Sequence, residues 1–110
     1  MSKLIEAAIE HFSKKELRRL EVPEWEVTVF AKNLTLEDKA KMLRRADADN
    51  TDYLIYALIY GLIDESGDAV FTIEDKVPLR RKADPDIVTR LATFVLTADN
   101  ESEEEREKNL

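Results

Sequence analysis

Apolar residues recur at helical spacing from the start of the chain. Leu4, Ile5, Ala8, Ile9 and Phe12 form one stripe, which predicts an amphipathic helix over residues 3–20. Lys14, Lys15, Arg18 and Arg19 fall in its last third, where positive charge complements the C-terminal end of a helix dipole. That cluster is also a candidate contact for an acidic partner, although a solvated face is the plainer account. Val22-Pro23 ends the helix, because proline lacks the amide and restricts the residue before it. From Trp25 to Ala31 the pattern changes to strict alternation. Trp25, Val27, Val29 and Ala31 share one face and Glu26, Thr28 and Phe30 the other, which predicts a strand. Alternation alone leaves open which face is buried.

The rest of the chain reads mainly as helix. Thr35 followed by Asp38 is a capping-box start for a helix to about Ala46, with Leu36, Ala40 and Leu43 or Met42 facing inward. Residues 47–50 are a polar break, and Asn50 or Thr51 caps a helix over residues 52–63 that is apolar nearly all round. Such a helix lies at the centre of a core or under a partner. Glu65-Ser66-Gly67-Asp68 predicts a turn, and Ala69 to Phe71 a short strand that pairs with Trp25–Ala31. Thr72-Ile73-Glu74-Asp75 is a second capping signature, but Pro78 allows only a short or kinked helix through about Arg81. Asp84-Pro85 starts a last helix to Thr97 that buries Ile87 or Val88, Leu91, Phe94 and Val95, with Leu96 a further candidate. After Asp99 almost nothing is apolar, so the expectation is a disordered or frayed tail in which Ser102 at most caps a short polar helix.

The predicted fold class is therefore mainly α (α+β): a small domain of four to five helices with a short two-stranded antiparallel element. It occupies residues 1–98, followed by an acidic tail, 99–110. Two glycines and three prolines in 110 residues argue against a turn-rich sandwich or barrel.

Charge narrows the function classes. Seventeen basic residues against 24 acidic ones leave −7. Six acids and two bases between Asp99 and Leu110 account for −4 of that, so the body is only mildly acidic. A net-acidic chain is repelled by phosphate backbones, so no nucleic-acid partner is expected. With −4 in the tail, the body also lacks the dense negative surface of a nucleic-acid mimic. The apolar run Tyr53–Ile63 spans about 16 Å as a helix, roughly half of a bilayer core, and the N-terminus has no signal-peptide core. No membrane association is expected.

Chemistry is nearly absent from the pattern. There is no cysteine and one histidine, His11, which excludes thiol nucleophiles, disulfides and zinc patterns. Gly61 and Gly67 cannot form a phosphate cradle. Asp47, Asp49 and Asp52 lack the loop glycine and closing glutamate of a calcium loop and are better explained by helix capping. The expectation is a protein that is not an enzyme, carries no cofactor or metal, and works by contact.

The order of segments carries one resemblance. A charged N-terminal helix precedes Val22-Pro23-Glu24-Trp25 and a valine-rich strand. Leu34-Thr35-Leu36-Glu37-Asp38 then opens a lysine-rich helix, and the apolar tyrosine helix follows. Next come Asp64-Glu65-Ser66-Gly67-Asp68, a phenylalanine and a Thr-Ile-Glu-Asp start. The Pro85 helix and an acidic tail ending in Glu107-Lys108-Asn109 close the chain. Over nearly the whole chain this order resembles the tail assembly chaperones of long-tailed bacteriophages, with Pro78 a departure from the pattern.

The resemblance implies a protein of the host cytoplasm that binds the tape measure protein, keeps it soluble, helps recruit tail tube subunits and is absent from the mature virion. It implies self-association along a rod-like client. It also implies a longer, frameshifted product that would contact the major tail tube protein. Glu107-Lys108-Asn109 can be encoded by a slippery A-AAA-AAC heptamer. The candidate partner-binding residues are Trp25, Phe30, Tyr53, Tyr56 and Tyr60. The tyrosine row is equally compatible with the rim of an ordinary core. A small acidic adaptor or inhibitor and a head–tail structural component are the alternatives.

Overall fold

The most apolar segment of the chain becomes the centre of the molecule. In the computed structural model, which describes residues 2–97, helix α3 (Asn50–Gly61) buries Ile55, Tyr56, Ala57, Leu58 and Gly61. Around it pack α2 (Leu36–Ala46), α4 (Lys76–Arg81) and α5 (Pro85–Leu96). Helix α5 contributes Ile87, Val88, Leu91, Ala92 and Val95 to the core, and α2 contributes Met42 and Ala46. Gly61 permits the close approach of α3 and α5, because a Cβ built there would overlap Val95 Cγ1. Gly61→Ala is therefore expected to cost about 1–3 kcal/mol by overpacking. Urea denaturation checks this, and Val95→Ala added to it should recover part of the loss.

A three-stranded antiparallel sheet covers one side: β1 (Arg18–Val22), β2 (Val27–Ala31) and β3 (Leu62–Ile63), in the order β1-β2-β3. Leu20 lies opposite Val29, and Val22 opposite Val27, where β2 begins; Trp25, expected in this strand, lies in the helical turn Pro23–Trp25 before it, and the left-handed Glu26 separates the two. Ala31 lies between Arg18 and Leu62. The face carrying Val22, Val29, Ala31 and Leu62 is buried; Arg19, Glu21, Thr28 and Phe30 stand on the other.

The caps formed where they were expected, with one shift. Thr35 Oγ1 accepts from Asp38 N–H at 3.0 Å and Asp38 Oδ2 accepts from Thr35 N–H at 3.0 Å. Asp84 Oδ1 accepts from Asp86 N–H at 2.9 Å. Asp75 Oδ2 accepts from Thr72 N–H at 2.9 Å, ahead of the short proline-containing α4. Helix α3, however, is capped by Asp49 rather than by Asn50 or Thr51.

Further expectations need correction. On α5, Phe94 is half-buried rather than buried. The first helix, α1, is only Lys3–Ser13, because Arg18–Val22 leaves it to pair with β2. The inward residue that hid this alternation is Arg18. Its Nη1 donates to Phe94 O at 2.7 Å, and its guanidinium lies 4.5 Å over the Phe94 ring. A basic residue read as dipole complement is thus a partly buried sheet residue. Helix α3 stops at Gly61, and Leu62–Ile63 turns away as the third strand, so the sheet has three strands rather than two. Ala69 only bridges Ile63, and Phe71 pairs with no strand. On α2, Met42 is buried, but Leu36 and Leu43 face outward. The tail 99–110, and its predicted disorder, lies outside the described residues.

One ion pair fastens the β1–β2 turn to α5. Arg90 donates from both terminal nitrogens to Glu24, at 2.9 and 2.8 Å. This hydrogen-bonded guanidinium takes the Glu24 carboxyl from its ordinary 4.5 down to about 2. Asp38 and Asp49 are lowered as well, first by the backbone amides they accept as caps. All three are carboxyls whose folded pKa is depressed. Their contribution is full above the ordinary carboxylate range and is lost as pH falls through the folded values. The melting temperature should hold at neutral pH and decline from about pH 4.5 toward pH 2. Arg90→Ala should show a smaller decline over that window.

Candidate functional site

Helix α1 is the anomaly of the fold. A spacing that marks one apolar face normally buries it, yet none of its residues is buried. Leu4 is 81% exposed, Ile9 54% and Phe12 38%. The helix is built to persist: Ser2 Oγ accepts from Ile5 N–H at 3.2 Å, and Glu10 pairs with Lys14 at 2.8 Å. Its exit is held to the body where Asn33 Nδ2 donates to Lys15 O at 3.0 Å. Beyond Asn33, the Thr35 capping box sets the start of α2 and leaves Leu36 at its first helical position, 87% exposed.

These two features face one another. Ile5, Ala8, Ile9 and Phe12 of α1, with Leu34 and Leu36 opposite, line an open groove of about 650 Å³. Glu37 and Lys39 stand along it. The groove can bury one apolar stripe of a helix, by the same spacing that makes α1 amphipathic. His11 lies on α1 and is exposed.

A second apolar hollow, of about 320 Å³, lies between the β1–β2 turn and α4. Trp25 meets Phe71 edge-to-face at 6.3 Å; Pro78, Leu79 and Ala83 add apolar lining, and Asp75 and Lys82 stand along it. Ile73 and Val77, on the adjoining helical turns, are more than half exposed.

The five candidate binding residues do not form one surface. Trp25 lines this second hollow. Phe30 stands half-buried on the outer sheet face, between Arg19 and Ile63. At Phe30 the strand is paired on both sides, with β1 and with β3. Tyr53 and Tyr60 are half-buried against the core, and Tyr56, 5% exposed, belongs to it. Tyr56 stacks on Tyr60 at 6.3 Å, with Lys76 Nζ 5.2 Å from its ring centre. A Tyr56→Ala variant therefore tests the core. Two groove features were not among the candidates: Leu36, expected to face inward, and the stripe of α1, which was legible as a stripe.

The three aspartates have structural work. Asp47 ends α2 in a left-handed conformation, Asp49 caps α3, and Asp52 receives Lys76 and Arg80. Among the described residues no group of three acidic or imidazole side chains is arranged to hold a metal ion. Among them, too, no helix is long and apolar enough to cross a membrane.

No family model and no curated protein matches the sequence. Among solved structures, the fold is similar to that of the bacteriophage HK97 tail assembly chaperone. The TM-score is 0.55 and the identity 18%, over 83% of this chain and 92% of that one. This likeness is one of fold.

Proposed function

We propose that this protein is a tail assembly chaperone of a long-tailed bacteriophage, acting in the host cytoplasm. In this reading it binds the tape measure protein during assembly, keeps it soluble, helps bring tail tube subunits to it and leaves before the virion matures. The observation that carries the reading is α1, an amphipathic helix that buries none of its residues. It stands in a fold similar to that of a phage tail assembly chaperone.

The physical argument is that of a holdase. A long helical client exposes apolar stripes until the tube encloses it. The α1–α2 groove accepts one such stripe, helix against helix. One short groove binds weakly, and many copies along one client bind strongly through effective concentration. The net charge of −7 keeps the coated client in solution by mutual repulsion. A longer frameshifted product would add a contact to the tail tube protein.

Co-expression with a tape measure protein tests this. The expected result is a soluble complex of the two, with the client precipitating when expressed alone. A client equally insoluble in both cases overturns the reading. So does the presence of this chain in purified particles, which would favour a head–tail structural component.

A further inference from the structure

We propose that the acidic segment Asp99–Leu110 docks back onto its own body, on a cluster of lysines beside the α1–α2 groove, and competes with the client for that groove. Three lysines from three separate segments converge on the last turn of α5. Lys15 follows α1, Lys32 follows β2 and Lys39 lies on α2; with Phe12, Leu34 and Leu96 they surround one small cleft of about 30 Å³. Neither Lys32 nor Lys39 forms an ion pair among the described residues. Lys32 does reach Asp38 electrostatically, and with Lys41 it helps to lower that carboxyl.

The tail starts at this spot. Leu96 is part of the cleft, and the chain continues from Thr97 into a segment with six carboxylates and two bases. The thirteen residues 98–110 span up to about 40 Å when extended, so the lysines are well within reach. Docking in cis costs little, because the tether supplies a high effective concentration. The segment has almost no apolar side chains, so its attraction is electrostatic and falls with salt.

Phe12, Leu34 and Lys39 line both this cleft and the larger groove. A tail seated on the lysines thus crosses one end of the apolar surface. The competition with a client rests on the chaperone reading; the docking does not.

The chain has no cysteine, so one introduced thiol is unique. A nitroxide on Ser102→Cys, in the full-length chain, should broaden the amide resonances of Phe12, Lys32 and Lys39 at low salt until most of their intensity is lost. That intensity should return in ~1 M salt, where the screening length is ~3 Å. It should also return in Lys32→Glu/Lys39→Glu at low salt. Broadening spread evenly over the body, or unchanged by salt and by charge reversal, overturns the proposal. So does broadening found only between labelled and unlabelled molecules, which would place the tail on another copy. If docking holds, Glu103→Gln/Glu104→Gln/Glu105→Gln should bind a tape measure fragment several-fold more tightly at low salt. Unchanged fragment binding would overturn the competition and leave the docking standing. A fragment that binds no form of the chain would instead count against the chaperone reading.

Discussion

Ile9→Asp combined with Leu36→Asp is expected to abolish client retention while leaving the domain folded. Both side chains are more than half exposed, so neither change opens a cavity. Surface substitutions of this kind alter stability by about 0.5 kcal/mol or less, which moves the melting temperature by no more than about 4 °C. Binding is affected far more. Each apolar side chain is worth about 1.5–3 kcal/mol when it becomes buried, and each new carboxylate has to be desolvated as well. The pair should weaken association by about 100-fold to 10,000-fold. Titration of a labelled tape measure fragment measures this, with thermal denaturation as the control. Retained binding with an unchanged melting temperature would move the client surface off α1. Val77→Asp, beside the Trp25–Phe71 hollow, would then be the variant to examine.

Leu58→Ala should have the largest effect on folding. Leu58 is fully buried on the central helix α3, around which α2, α4 and α5 pack. Removing its three outer carbons forfeits their transfer energy and leaves a cavity that close-packed neighbours fill only in part. The expected loss is about 2–5 kcal/mol. Against a total of about 5–15 kcal/mol for a domain of this size, that is a large fraction. The melting temperature should fall by about 10–30 °C. Urea denaturation should show a lower midpoint with an unchanged slope, because the surface exposed on unfolding is nearly the same. Leu43→Ala, one turn before the end of α2 and 61% exposed, should change stability by no more than about 0.5 kcal/mol.

The contrast between Leu58 and Leu43 shows how much of this molecule is local in origin. Helix starts were legible because a cap satisfies its own amides within three residues. Thr35 with Asp38 and Asp84 with Pro85 read directly from the chain. The central place of α3 was legible too, since a helix apolar all round has to be enclosed. Strand pairing was not. Arg18–Val22 is a strand only because β2 lies beside it, and its inward Arg18 is met by Phe94 with both a carbonyl and a ring. Leu62 and Ile63 continue the apolar pattern of α3 and leave it for the same reason, to pair with Phe30 and Ala31.

The candidate site divides along the same line. The apolar stripe of α1 and its spacing are properties of the sequence, because the residues that make them are neighbours along the chain. That the stripe stays uncovered is decided by the tertiary fold. The core closes around α3 with side chains from α2, α4, α5 and the sheet, and α1 contributes none of its own to it. Leu36 and Tyr56 exchange their expected roles through the same packing. The first turn of α2 projects past the core, whereas the middle of α3 lies inside it. Local sequence thus marks the capped helix starts at Thr35 and Asp84, but not where α1 and α3 give way to strands. Exposure depends on which surfaces remain once all the elements have packed, and a single segment carries no record of that.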